Sequence, residues 1–216
     1  MLTPKNWSWL YCEIYDSIRK GSLNIYQTDN YFWLDIRDTI TVMGKGLILV
    51  FTGDGKGKTT AALGMALRAT GHGLRVLVVQ FIKGSRQYGE LIAAQGLPLL
   101  EIVPMGKGFI NLRAKEPLPE DKELAQKAWS FCQEKVGTGK YDLIILDEIS
   151  YLVNCHLLPL EEVLALLRNK PPNLHLLLTG RQMPQAIIEV ADLVTEMKKI
   201  KHPYEQGITA QAGIEY

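Results

Sequence analysis

The chain has 216 residues, 47% hydrophobic and 22% charged, a composition that suits one globular domain with a short appendage and excludes disordered, collagen-like and coiled-coil classes. Its formal net charge of +1, from 24 Lys and Arg against 23 Asp and Glu, supplies no broad field for nucleic acid or an anionic membrane, so any anion must be held by local chemistry. The cysteines Cys12, Cys132 and Cys155 lack CxxC spacing; they suggest neither a disulfide framework nor a zinc site, and a reducing cytoplasm fits them. Apolar runs are of strand length, and the first residues lack a basic segment followed by an apolar one, so neither a membrane span nor a secretion signal is expected.

Residues 1–42 carry eight of the eighteen aromatic residues, Trp7, Trp9, Tyr11, Tyr15, Tyr26, Tyr31, Phe32 and Trp33, without a sustained helical or alternating pattern. They read as an appendage. Met43 then precedes the first clear strand and reads as a translation start, with the upstream stretch a wrongly included leader; the rival reading is a flexible aromatic arm closing over a ligand. The expected domain is 43–216.

From Gly46 the chain alternates apolar runs with helical patterns, the signature of βαβ units around a mostly parallel sheet flanked by helices. Strands are predicted at Leu47–Phe51, Arg75–Phe81, Leu99–Pro104, Tyr141–Leu146, Leu174–Thr179 and Asp192–Met197, with apolar character implying burial on both faces. Helices are predicted at Lys58–Thr70, Tyr88–Gln95, Pro119–Val136, Pro159–Asn169 and Met183–Val190, with Gly71 as a stop and Pro119, Pro159 and Pro184 as starts. The stretch 106–117, GKGFINLRAKEP, lacks regular pattern and lies where α/β enzymes place substrate loops.

The strongest chemical signal is TGDGKGKTT, Thr52 to Thr60, between a buried strand and a helix. Gly53, Gly55 and Gly57 allow the backbone to turn and present N–H groups to phosphate oxygens, joined by the dipole of the helix starting near Lys58. Lys58 supplies a point charge, and Thr59 can complete the shell of a magnesium ion. Asp54, Lys56 and Thr60 fill out the ATP-binding loop. The usual pattern is GxxxxGK[ST], and Thr52 stands where its first glycine belongs. A second signal, YDLIILDEIS, ends a buried strand in Asp147 and Glu148, one of which should organise Mg²⁺ directly or through water. Arg181 and Lys83 could reach phosphate or serve structure. His72, His156, His175 and His202 show no metal spacing and read as structural. No GxSxG or Ser/His/Asp arrangement supports acyl transfer.

Together FTGDGKGKTTAALGMALRATGHG, VVQFIKG, LIILDEISY, LLLTGR and the tail KHPYEQGITAQAGIEY resemble the ATP:corrinoid adenosyltransferases of cobalamin biosynthesis, over about residues 47–216. The resemblance implies a phosphate-loop NTPase (RecA-like) three-layer fold and transfer of the 5′-deoxyadenosyl group of ATP to the Co(I) of a reduced corrinoid, releasing triphosphate. It implies that Gly53 to Thr60 hold the triphosphate, that Lys58 neutralises it, and that Thr59 and Glu148 ligate Mg²⁺ or Mn²⁺, with Asp147 behind them. Where relatives carry Phe-x-Trp against the lower face of the corrinoid, this chain has Phe109, Ile110 and Asn111, so Phe109 matches and Asn111 departs. A homodimer and a reducing partner such as a flavodoxin are implied, with no nucleic acid and no membrane. The competing reading is a phosphate-loop ATPase or small-molecule kinase acting at the γ-phosphate; a third is a nucleotide switch.

Overall fold

The computed structural model describes residues 25–28, 31–34, 45–84, 88–108 and 117–215. The chain divides into two compact units, Met1–Gly44 and Lys45–Tyr216. In the first, β1 (Ile25–Thr28) and β2 (Tyr31–Leu34) form an antiparallel pair in which Ile25 lies opposite Leu34 and Thr28 opposite Tyr31. The sequence showed no alternating pattern here because the two strands are only four residues long and joined by a two-residue connection.

The second unit is built on a six-stranded sheet, every pairing of which is parallel. Its strands are β3 (Ile48–Thr52), β4 (Val76–Gln80), β5 (Leu100–Pro104), β6 (Leu143–Asp147), β7 (His175–Thr179) and β8 (Leu193–Glu196), in spatial order β5-β4-β6-β7-β3-β8. The helices are α1 (Lys58–Gly71), α2 (Gly89–Ala94), α3 (Pro119–Gly137), α4 (Ile149–Asn154), α5 (Leu160–Arg168) and α6 (Gln185–Val190), followed by a 3₁₀ turn at Pro203–Gln206.

Because successive strand residues face opposite sides, the sheet feeds two cores. Val50, Leu77, Val79, Ile144, Leu146, Leu176 and Leu178 pack with Trp129 and Cys132 of α3, Leu152 of α4, Leu164 of α5 and Ile187 of α6. Leu49, Phe51, Val76, Val78, Ile145 and Leu177 pack with α1. That helix buries Ala62, Ala66 and Ala69, one small-residue stripe at helical spacing, which lets its axis lie close over the sheet. Helices on both sheet faces make three layers, the RecA-like α/β arrangement.

The four inner strands are buried as their apolar runs imply, but β5 is half-exposed and all four residues of β8 are exposed. Both are edge strands, a position that periodicity alone does not disclose. Pro159 and Pro184 sit just before their helices rather than inside them, and Pro119 is the first helical residue, as a ring without N–H permits. Helix α4 was not foreseen: a single residue separates it from the end of β6, with no capping side chain or proline to mark it off from the strand. Among the described residues no helix is long and apolar enough to cross a membrane.

Gly180, just after β7, has φ +150°, and a Cβ there would overlap the Oγ of Ser150 on α4. Gly180→Ala should therefore lower unfolding free energy by about 2–4 kcal/mol through combined backbone strain and overpacking. Urea denaturation checks this; a loss under about 0.5 kcal/mol would mean the turn relaxes freely.

Candidate nucleotide-binding site

Four neighbouring strands each end in one buried polar residue: Gln80 on β4, Asp147 on β6, Thr179 on β7 and Thr52 on β3. This row lies along the carboxyl edge of the sheet, where open α/β sheets bind ligands. Asp147 is its centre. Its Oδ1 accepts the hydroxyl of Thr59, in the first turn of α1, at 2.8 Å and that of Thr179 at 2.7 Å. The Thr179 oxygen in turn accepts the backbone N–H of Glu148 at 2.8 Å. Asp147 Oδ2 is buried and has no hydrogen-bond partner. Burial pushes the Asp147 carboxyl up, while the two threonine hydroxyls favour its ionised form.

The loop between β3 and α1 is shaped by a close backbone crossing. Gly55 N–H donates to Met197 O at 2.6 Å, and Met197 N–H donates to Thr52 O at 2.8 Å. A Cβ at Gly53 or Gly55 would come within 2.5 or 2.6 Å of Met197 O, and Gly53 also has φ +97°. These glycines are thus required by the segment after β8. Gly57 precedes α1 with φ +109°, and no side chain caps the helix. The first N–H groups of this 14-residue helix are consequently offered to an anion.

Thr52, in place of the usual first glycine, is the buried last residue of β3, is not among the positive-φ residues, and accepts Met183 N–H at 3.2 Å. No glycine is needed there, which explains the variant pattern. Lys58 Nζ donates to the carbonyls of Gly53 and Gly55, each at 2.6 Å. Its pKa is lowered, first by burial and then by the nearby Arg181 guanidinium, so its ammonium is short of water and faces a like charge. Asp54, Lys56 and Thr60 are exposed along the loop, and Lys56 pairs with Glu215 of the C-terminal tail.

Glu148 follows Asp147 in the left-handed region at φ 66°, an uncommon conformation for a residue with a side chain. Burial, then the Asp147 charge, raises its pKa to about 7. Helix α4 starts immediately after it and clamps the turn beyond β7: Ser150 Oγ donates to Arg181 O at 2.7 Å, and Asn154 Nδ2 to Gln182 O at 3.1 Å. That turn carries exposed Arg181 toward Lys58 and Glu148, where its charge acts on both. Lys83 is tied to Glu90 and lies over the Tyr88 ring, 4.8 Å from its centroid, with its charge felt by Asp147 and Glu148.

The structure thus brings Gly53, Gly55, Gly57, Lys58, Thr59, Asp147 and Glu148 to one sheet edge. Thr179 and Gln80 belong to the same edge and were missed; their only signal was a polar residue ending an otherwise apolar run. Phe109 and Asn111 lie outside the described residues. His175 and His202 each accept a backbone N–H, from Leu47 and Tyr204, which are structural uses.

The sheet order and this loop define a phosphate-loop nucleotide-binding protein of the RecA-like α/β class. Residues 44–216 match the family described as ATP:corrinoid adenosyltransferase BtuR/CobO/CobP, and the chain belongs to that family. It is 41% identical over 175 residues to the corrinoid adenosyltransferase of Escherichia coli (strain K12), covering 80% of this chain and 86% of that relative. Against the corrinoid adenosyltransferase CobA of Salmonella typhimurium (strain LT2) the identity is 40% with the same coverage. The flagellar accessory protein FlaH of Methanocaldococcus jannaschii shares the fold alone, at TM-score 0.50 and 14% identity, covering 81% of this chain and 80% of that one.

The raised Glu148 pKa has a consequence for stability. Between pH 4.5 and about 7 the unfolded chain releases this proton while the folded chain keeps it, so the folded state binds more protons and stability falls as pH rises. Glu148→Gln should remove on the order of 2 kcal/mol of that fall. Denaturant midpoints at pH 5 and 8 check this; an unchanged pH slope in the variant would show that Glu148 titrates normally.

Proposed function

We infer that this chain transfers the 5′-deoxyadenosyl group of ATP to the Co(I) centre of a reduced corrinoid, releasing triphosphate, in cobalamin biosynthesis. The observation that carries this reading is membership of the corrinoid adenosyltransferase family over 44–216. In the transfer the cobalt electron pair attacks C5′, a Co–C bond forms, and the C5′–O bond breaks with its electrons leaving on the triphosphate. The nucleophile belongs to the substrate, so the protein needs no general base. Its task is to hold C5′ in line with cobalt and to stabilise negative charge growing on the leaving group.

The phosphate loop is suited to that second task, and we assign Gly53 to Thr60 to the triphosphate. The N–H groups opening α1 face an anion without a competing side-chain cap. The Lys58 ammonium, poorly solvated and opposed by Arg181, gains most from a phosphate oxygen, which would take over from the Gly53 and Gly55 carbonyls. Exposed Arg181 adds a positive charge on the outer side.

The residues also fit a divalent cation. Asp147 keeps a buried carboxylate oxygen with no partner beside Thr59, and Glu148 adds a second carboxylate at the same strand end. Among the described residues no three His, Cys, Asp or Glu form a metal cage, which suits an ion shared with phosphates rather than one held by protein alone. We assign Thr59 and Glu148 as ligands of Mg²⁺, with Mn²⁺ an alternative, and Asp147 as the group that orients Thr59. When bound, the ion neutralises charge on the triphosphate.

For the corrinoid, Phe109 is the proposed lower-face contact, with Asn111 beside it. The segment 1–42 is proposed as dispensable, with 43–216 as the transferase domain; a homodimer, a flavodoxin-like reductant and a cytoplasmic setting complete the proposal.

Incubating the protein with ATP and chemically reduced cobalamin should yield triphosphate and an adenosylated corrinoid in equal amounts; formation of ADP instead would establish attack at the γ-phosphate. In the same assay Lys58→Ala should turn over about 10² to 10³ more slowly, the usual loss of a preorganised charge-stabilising contact. Near-normal turnover of this variant at saturating ATP would remove the loop from the leaving-group role.

A further inference from the structure

Among the described residues two acids are buried, Asp147 and Asp121, and only the first belongs to the nucleotide site. Asp121 lies in the first turn of α3 and is 7% exposed. A negative charge at the start of a helix is favourable, but Glu120 supplies one from the same turn while exposed, so the helix does not require Asp121 to be buried. The partner of Asp121 is Lys107, whose Nζ lies 2.6 Å from Oδ1. Together they line a cavity of about 20 Å³ with Phe81, Ile82, Leu124 and Leu152, against apolar side chains rather than in open water. In such a place the loss of either charge leaves the other without compensation.

Lys107 stands on a turn that is itself fixed. Beyond the end of β5, Met105 N–H donates to Gln80 O at 2.9 Å, Gly106 N–H to Lys83 O at 2.9 Å and Gly108 N–H to Ile82 O at 2.8 Å. The turn 105–108 is thus laid along the turn that follows β4, and a Cβ at Gly106 would fall 2.2 Å from Ile82 O. Both turns leave the carboxyl edge of the sheet, the edge that carries Asp147. The ion pair therefore joins the turn after β5 to the start of α3, and the connection 108–120 has its two ends tied by one contact. Tying the ends of a long connection removes many of the arrangements open to it.

We propose that Asp121 is a positioning residue for the corrinoid: through its ion pair with Lys107 it sets how the connection 108–120, which includes Phe109, is presented to that substrate. This rests on the corrinoid reading given above. The phosphate loop takes no part in the pair, so the effect is confined to one of the two substrates.

The test compares the KM for chemically reduced cobalamin at saturating ATP with the Kd for ATP measured by calorimetry without cobalamin, alongside thermal melts. Asp121→Asn keeps shape and removes the charge. It should raise the cobalamin KM about tenfold, as expected when the binding-competent fraction falls to about a tenth, and leave the ATP Kd unchanged. Lys107→Met should do the same, whereas Lys107→Arg keeps a cation for Asp121 and should retain the wild-type KM. A merely structural pair would lower the Tm and leave the cobalamin KM unchanged, which would overturn the proposal, as would equal weakening of cobalamin and ATP. An effect of Lys107→Met without one of Asp121→Asn would make Lys107 a direct corrinoid contact and end the role of Asp121. If Asp121→Asn does not fold, the Lys107 variants decide: a rise confined to Lys107→Met supports the pair, and a rise in both or in neither contradicts it. Failure of the underlying corrinoid reading looks different, because the wild-type protein would then form no adenosylated cobalamin at all; that result also ends the proposal for Asp121.

Discussion

One carboxylate oxygen, Oδ1 of Asp147, holds the site together. It accepts hydroxyls from Thr59 at 2.8 Å and Thr179 at 2.7 Å, and so joins the start of α1, the end of β6 and the end of β7 at one buried point. Through Thr179 the linkage continues to the backbone of Glu148. A buried carboxylate is costly unless its oxygens are bonded, and here one oxygen is doubly bonded while the other is not. The imbalance is the signature of a site built for a further donor.

A second constraint comes from the opposite side of the loop. The backbone at Met197 and Lys198, following edge strand β8, passes so close to Gly53 and Gly55 that neither position has room for a side chain. The Gly55 N–H is bonded to Met197 O, and Lys56 is paired with Glu215 near the C-terminus. The phosphate loop is therefore held from two directions, by Asp147 beneath its helix and by the β8 segment across its backbone. This gives a physical role to the C-terminal stretch that the sequence marked only by its resemblance to relatives.

Much of this was legible beforehand because the inner strands are continuous apolar runs and the loop combines GKT with the right flanks. The LDE strand end was legible for the same reason. What escaped detection has identifiable causes. Helix α4 follows β6 after the single residue Glu148, without a capping side chain or proline start, so its apolar Ile149 and Leu152 read as a continuation of the strand, yet it clamps the Arg181 turn. The exposure of β8 depends on its place at the sheet edge, which follows from strand order and not from its own residues. Thr179 and Gln80 read as the tails of apolar strands, and only the register beside Asp147 makes them site residues. The unforeseen point about Gly53 and Gly55 is of the same kind, because the chain that crosses them lies more than 140 residues further on.

Asp147 and Thr179 act as one unit at the strand ends, and a double-mutant cycle on adenosylation tests that most directly. Asp147→Asn, Thr179→Val and the double variant would be compared in kcat/KM with reduced cobalamin, each checked for folding by thermal melts. Because both substitutions break the same linkage, the double variant should lose little more than the worse single one, a coupling of about 1–3 kcal/mol. Losses that simply add, to within about 0.5 kcal/mol, would contradict the view that this one carboxylate organises the site.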